Sequence, residues 1–265
     1  MSDVTKKIGL MGLVPVVVID DEKDALKTAK AMIDGGLPIM EITLRTDAGL
    51  PSIRKISKEY PQILMGAGTV LSVEMAKAAV DAGAQFIVSP GFNDDVVSWC
   101  IDNDIAITPG CVTPTEIEHA LSFGINILKF FPANVYGGIN GCKALYGPYR
   151  MVKFVPTGGV SLKNLREFVD KEYIHAVGGG WLCKSADIAS GNFENISNVV
   201  RESIDVLLGF KLDSICDCLI NVCDCDVETR NVDRAIYYLS NLGYSVDEDT
   251  LAAQKDGCTI HLIRK

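Results

Sequence analysis

Eight short β-branched runs, each followed by an amphipathic stretch of helical period, recur between about residues 14 and 208 of this chain of 265 residues. That rhythm restricts the fold more than any other feature, because alternating β and α segments bury their apolar faces as βα units around a parallel sheet. The expected strands are Val14 to Ile19, Ile39 to Leu44, Leu64 to Ala67, Phe86 to Val88, Ala106 to Thr108, Ile127 to Phe130, Phe154 to Pro156 and Ala176 to Gly178. Helices follow them, for example Glu22 to Asp34 closed by Gly35-Gly36, and Val73 to Ala82 closed by Gly83. Eight units in about 200 residues fit a compact (β/α)8 TIM barrel better than a doubly wound sheet, which usually has about five to seven strands and a topological switch point.

The rhythm stops at Leu208-Gly209-Phe210, and residues 211–265 hold five of the nine cysteines: Cys216, Cys218, Cys223, Cys225 and Cys258. This stretch is expected to run strand (about Ser214 to Val222), helix (Val227 to Leu242), then short strands near Tyr244 and from Cys258 to Ile263. The division is therefore a barrel over residues 1–210 and a small α+β module over 211–265. So short a module carries too little core to stand alone, so it should pack on the barrel or pair with a copy of itself.

A content of 48% hydrophobic and 22% charged residues is that of a globular chain. The net charge of −9, with no local Lys/Arg cluster, opposes binding to nucleic acid or to an anionic membrane. No apolar run approaches about 18 residues, and Met1 to Leu10 lacks the apolar stretch of a signal peptide, so a cytoplasmic location is expected. The cysteines are then expected as reduced, mostly buried thiols. Cys216, Cys218, Cys223 and Cys225, with His261 near Cys258, resemble a zinc donor set. The Cys-x-Cys spacing is not the Cys-x-x-Cys of a zinc knuckle, however, and strand alternation puts each pair on one buried face, so no metal or cofactor is expected.

The chemistry gathers at the strand ends, where barrels of this kind keep their active sites. Lys129 sits in Ile127-Leu128-Lys129-Phe130-Phe131-Pro132, where an apolar side chain would be expected. Two readings fit: an ammonium snorkelling from a strand end, or a buried amine in its neutral form that attacks a carbonyl and forms a Schiff base. In Ile39 to Arg45 the period of two puts Glu41, Thr43 and Arg45 on one face, pointing into the barrel, with Met40, Ile42 and Leu44 towards the helices. Glu41 and Arg45 there either pair with each other or serve a ligand. Strand three ends in Gly66-Ala67-Gly68-Thr69, with glycines that admit a ligand to the backbone and a hydroxyl to bind it. Strands four and five end in Ser89-Pro90-Gly91 and Thr108-Pro109-Gly110. Strands seven and eight end in Pro156-Thr157-Gly158-Gly159 and Gly178-Gly179-Gly180-Trp181, whose amides suit a phosphate or carboxylate.

Together these residues suggest that Lys129 forms an imine with a 2-oxo acid and that the protonated imine accepts the electrons of a breaking carbon–carbon bond. Glu41 would move the protons as general acid and base, and Arg45 and Thr69 would hold the substrate carboxylate. A rival reading is a non-catalytic 2-oxo acid or sugar-phosphate binding barrel with the C-terminal module as its output. Such a binder needs Arg45 and the glycine loops but gains nothing from a buried lysine. A metal-dependent aldolase needs a histidine and carboxylate cluster at strand ends, which His119, His175 and His261 do not supply.

Residues 5–208 resemble the bifunctional 2-keto-3-deoxy-6-phosphogluconate (KDPG) and 4-hydroxy-2-oxoglutarate (KHG) aldolase family, class I enzymes that release pyruvate. The resemblance rests on Glu41-Ile42-Thr43-Leu44-Arg45-Thr46, Gly66-Ala67-Gly68-Thr69-Val70, Ser89-Pro90-Gly91, Lys129-Phe130-Phe131-Pro132-Ala133, Pro156-Thr157-Gly158-Gly159 and Gly178-Gly179-Gly180-Trp181. It implies Lys129 as the Schiff-base lysine, Glu41 as acid and base, and Arg45, Thr69 and Thr157 as contacts to the pyruvyl part. It further implies Pro90 and Phe131 as pocket walls, the Gly158-Gly159 and Gly179-Gly180 amides at the phosphate, and a homotrimer. One departure stands out: the family usually carries Gly-Gly-Ser-Trp where this chain has Gly180 in place of the serine, which removes a hydroxyl from the phosphate end. The C-terminal module lies outside this pattern, and its strand and helix order looks like half of a glyoxalase-type (vicinal oxygen chelate) repeat.

Overall fold

A computed structural model describes residues 1–212 and 224–265. Its first part is a closed ring of eight parallel strands: β1 (Leu13–Val17), β2 (Ile39–Thr43), β3 (Leu64–Gly68), β4 (Phe86–Val88), β5 (Ala106–Thr108), β6 (Ile127–Phe130), β7 (Lys153–Pro156) and β8 (Val177–Gly179). They agree with the expected strands to within about two residues; every residue of β2 and β3 is buried, as in a parallel strand covered on both faces. The ladder runs β5-β4-β3-β2-β1-β8, with β6 and β7 paired separately. Isolated bridges close the two seams. The Lys129 amide donates to the Pro109 carbonyl at 2.9 Å and the Cys111 amide to the Lys129 carbonyl at 2.9 Å, while Thr157 pairs with Gly178 between β7 and β8.

Between the strands run α2 (Ala25–Asp34), α3 (Gly49–Glu59), α4 (Val73–Asp81), α5 (Asp94–Asp102), α6 (Pro114–Ser122), α7 (Gly138–Tyr146) and α8 (Arg166–Val169), with α9 (Ser185–Ala189) and α10 (Phe193–Leu208) after β8. The first expected helix begins later than Glu22. Glu22–Asp24 form a 3-10 turn because the Asp21 carboxylate accepts the Lys23 amide, an alternative to the helix that acidic turn residues favour. A further helix, α1 (Asp3–Met11), was not anticipated; Ser2 caps it and Gly12 ends it at φ 70°. It lies at the N-terminal ends of the strands, where His175 Nε2–H, just before β8, donates to the Thr5 carbonyl at 2.8 Å.

The C-terminal part holds β9 (Asp224–Thr229), α11 (Val232–Asn241), β10 (Ser245–Asp247), β11 (Ala252–Lys255) and β12 (Cys258–Arg264), in sheet order β10-β11-β12-β9 with β9 and β12 parallel. The helix expected from Val227 starts at Val232. Residues 224–229 alternate acid outward with Cys225 and Val227 inward, as a strand does, and the Asn231 side chain then accepts the Arg234 amide to open the helix. The strand expected at 214–222, with Cys216, Cys218 and Cys223, lies outside the described residues.

The module packs on the barrel, covering α1 at the end away from the strand C-termini. Arg234, 5% exposed, donates to the carbonyls of Gly9 (3.1 Å), Val169 (3.3 Å) and His175 (3.0 Å), and Tyr238 donates to the Met11 carbonyl at 2.8 Å. Gly9 and Val169 lie in the last turns of α1 and α8, so the guanidinium meets two helix ends whose carbonyls carry partial negative charge. Arg234→Met keeps the bulk and leaves three carbonyls, two of them in buried contacts, without their donor. We expect a loss of about 2–4 kcal/mol, offset in part by no longer burying a cation, and a fall in melting temperature of several degrees with pyruvate chemistry retained. An unchanged melting temperature by calorimetry would show that the contact contributes nothing.

Candidate active site

Lys129 and Glu41 meet inside the C-terminal end of the barrel. Nζ of Lys129 lies 3.3 Å from Oε1 of Glu41, with the two residues 6% and 3% exposed. The snorkelling reading of the lysine therefore fails: its ammonium is inside. Barrel closure makes this contact, for the residues stand 88 positions apart on β2 and β6, across the barrel from one another. Glu41 is in register with Val16 on β1 and Gly66 on β3. Gly68 makes the room it needs, since a methyl group at that position would overlap the Glu41 carboxylate. The glycine read as admitting a ligand thus admits a catalytic-type side chain first. Phe131, 38% exposed, stands at the mouth with its ring centroid 5.2 Å from the Lys129 ammonium, within cation–π range.

Arg45 is exposed just beyond β2, and its Nε donates to Oγ1 of Thr43 at 3.3 Å. The internal Glu41–Arg45 salt bridge is not formed among the described residues; the carboxylate is taken by Lys129, and Arg45 bonds Thr43 instead. Thr69 follows β3 at φ 59°. A β-branched residue in the left-handed region is strained by about 1–3 kcal/mol, and such strain collects where a side chain must be aimed. Thr157, 5% exposed, donates to the Val155 carbonyl at 3.3 Å and lies against Gly178, where any side chain would collide with its hydroxyl.

The glycine loops sit where the strands end. Gly158 and Gly159 have φ 92° and 75°, with Pro132 and Phe131 3.3–3.4 Å from where a Gly158 side chain would start. Gly179 packs under the Trp181 ring, and the Trp181 indole is held by Ser203 Oγ at 3.2 Å. Gly180 is different: its nearest neighbour would be the Val16 carbonyl at 3.6 Å, and its backbone lies outside the left-handed region, so a side chain fits. Pro90 follows β4, half-buried, with its carbonyl against Gly110. All eleven predicted residues thus lie on β2, β6 or β8 or in the loops after β2, β3, β4, β6, β7 and β8, at one end of the barrel.

The remaining reactive side chains serve the framework. Burial pushes the thiols of Cys100, Cys111, Cys142 and Cys183 up to about 12, so each stays protonated and unreactive near neutral pH. His119 pairs with Asp94 at 2.8 Å and His261 with Asp224 at 2.9 Å. Burial holds the His175 imidazole below its ordinary value, in keeping with its place under α1. Among the described residues no group of three or more His, Cys, Asp or Glu could hold a metal ion. No helix among them is long and apolar enough to cross a membrane.

A buried lysine and carboxylate at the open end of a (β/α)8 barrel define the class of Schiff-base lyases. Residues 4–199 match the family described as KDPG and KHG aldolase. The chain is 44% identical over 195 residues to a 2-dehydro-3-deoxy-phosphogluconate aldolase of Treponema pallidum, covering 74% of this chain and 93% of that protein. It is 35% identical over 193 residues to the KHG/KDPG aldolase of Escherichia coli K12, covering 73% and 91%. Among solved structures, a KDPG aldolase of Legionella pneumophila with pyruvate captured as a covalent carbinolamine superposes with a TM-score of 0.73 at 33% identity, covering 75% of this chain and 97% of that one. The protein belongs to the KDPG and KHG aldolase family of class I, Schiff-base-forming aldolases, with an additional C-terminal α+β module.

Proposed function

We propose that this protein cleaves 2-keto-3-deoxy-6-phosphogluconate to pyruvate and glyceraldehyde 3-phosphate, 4-hydroxy-2-oxoglutarate to pyruvate and glyoxylate, or both, with Lys129 as nucleophile. The observation that carries the reading is the buried pair of Lys129 Nζ and Glu41 Oε1 at 3.3 Å. The lysine amine attacks the C2 carbonyl, and Glu41 donates the proton that lets hydroxide leave as water, giving the protonated imine. Glu41, now a carboxylate, takes the proton of the C4 hydroxyl as the C3–C4 bond breaks; its electrons pass into the imine, forming an enamine, and the aldehyde departs. Glu41 returns the proton to C3, and hydrolysis of the imine frees pyruvate and Lys129. Arg45 and Thr69 hold the substrate carboxylate, Thr157 contacts the pyruvyl part, Pro90 and Phe131 wall the pocket, and the Gly158, Gly159, Gly179 and Gly180 amides receive the distal phosphate or carboxylate. Release of pyruvate from each substrate, followed through lactate dehydrogenase and NADH, tests this directly. Absence of pyruvate from both would overturn it.

Gly180 bears on the choice between the two substrates. Its open surroundings accept a serine, whose hydroxyl would reach an anion at the loop. Gly180→Ser is expected to raise kcat/KM for the phosphorylated substrate roughly tenfold, the worth of one hydrogen bond to a charged group, and to leave that for 4-hydroxy-2-oxoglutarate nearly unchanged. Equal kcat/KM before and after the change, for both substrates, would remove Gly180 from the specificity argument.

The same reading includes a cytoplasmic homotrimer acting on a small 2-oxo acid. Exposed apolar Leu71 after β3, and Val135 and Tyr136 after β6, support burial against other copies, and the mass in solution by light scattering tests it. We also propose that the chain divides at residues 210 and 211, with the β9 to β12 sheet and α11 as a half repeat of glyoxalase type.

A further inference from the structure

We infer that Thr43 is a positioning residue that presents the Arg45 guanidinium to the substrate carboxylate, an inference that rests on the aldolase reading above. Arg45 is exposed and lies past the last residue of β2, where a long side chain has many rotamers to lose on binding. It has no ion-pair partner among the described residues, so no carboxylate holds it in place. Thr43 does so instead. It is 2% exposed, two residues back on the same inward face, and its Oγ1 accepts from Arg45 Nε at 3.3 Å. A β-branched side chain has a stiff χ1, so the acceptor is itself fixed.

The geometry favours one mode of binding. With Nε occupied by Thr43, the two terminal nitrogens remain free to form the parallel pair of hydrogen bonds that a carboxylate accepts. The backbone beneath is pinned on both sides, by the Leu44 amide on the Gly68 carbonyl at 2.8 Å and by Thr46 Oγ1 donating to the Ile19 carbonyl at 2.5 Å. Valine would suit a buried strand position as well as threonine and without the cost of burying a hydroxyl, so the hydroxyl at Thr43 serves its neighbour.

The test uses the full-length protein with pyruvate and sodium borohydride, measuring the pyruvate concentration that half-saturates adduct formation on Lys129 and, separately, KM and kcat for cleavage. Thr43→Val should raise both half-saturation values roughly tenfold while leaving kcat within about twofold, the split expected when binding alone is weakened. Thr43→Ser should restore the wild-type values. In an Arg45→Lys background, Thr43→Val should add nothing, since the two side chains act as one unit. Unchanged half-saturation in Thr43→Val, a fall in kcat without a rise in KM, or an equal further loss in the Arg45→Lys background would each overturn the inference. If the wild-type protein itself forms no adduct, the aldolase reading fails and the inference falls with it; a wild-type adduct with a silent Thr43→Val sinks the inference alone.

Discussion

Replacing Lys129 by alanine is expected to abolish pyruvate release from either substrate, a loss on the order of 10⁴-fold or more, because removing the nucleophile removes the covalent path itself. Lys129→Arg should be equally inactive. A guanidinium stays protonated at any pH a protein survives, so it can fill the same space and meet Glu41 but cannot attack a carbonyl. That second variant matters because Lys129 lies 3.3 Å from Glu41 in a buried setting, and alanine alone would leave a carboxylate without its partner. A barrel that only bound 2-oxo acids would lose affinity with Lys129→Ala and regain much of it with Lys129→Arg. Retention of more than about one hundredth of the wild-type turnover in either variant, measured through pyruvate release, would rule out Lys129 as the imine-forming residue.

Glu41→Gln is expected to lower kcat by roughly 10²–10⁴-fold, the usual share of a positioned acid and base, while KM changes little. Glutamine keeps the shape that Gly68 makes room for and keeps a hydrogen-bond partner for Lys129, but it cannot carry a proton from the C4 hydroxyl to C3. Two of its consequences separate catalysis from mere placement. Trapping of pyruvate on Lys129 should be slowed but reach completion, since the amine is still present. Exchange of the pyruvate methyl protons with deuterated water, followed by NMR, should fall as far as turnover does, because it needs the same proton transfer to and from C3. A Glu41→Gln protein that exchanges those protons at the wild-type rate would assign the proton transfer to another group.

The barrel was legible because its short strands are mostly buried and rich in β-branched and other apolar residues, and β6, buried throughout, is apolar but for Lys129. The inward face of β2 was legible from the period of two. What the sequence does not carry is the partner of each polar group. Glu41 is four residues from Arg45 and 88 from Lys129, and only closure of the ring makes the distant pairing the real one. The purpose of Gly68 is hidden for the same reason: the side chain it accommodates arrives from the neighbouring strand. Helix α1 is not legible locally because much of what holds it lies outside it, in His175, Arg234 and Tyr238 from much later in the chain. Strand β11, Ala252–Lys255, has residues with little preference for a strand and is one because β10 and β12 flank it. The start of α11 is readable in Asn231, which precedes Val232 as a helix-capping residue should, whereas the apolar period that points to a helix from Val227 belongs over Val227 to Thr229 to the alternation of β9.

The central claim is that Lys129 forms an imine with a 2-oxo acid, and the most direct test is the intact mass of the protein after incubation with pyruvate and sodium borohydride, with peptide mapping of the product. The account predicts one reduced pyruvyl group per chain, on the peptide that contains Lys129, and none on Lys129→Ala. A folded wild-type protein that gains no mass, or gains it on another lysine, would contradict the account and leave the barrel as a binder of 2-oxo acids rather than an enzyme acting through Lys129.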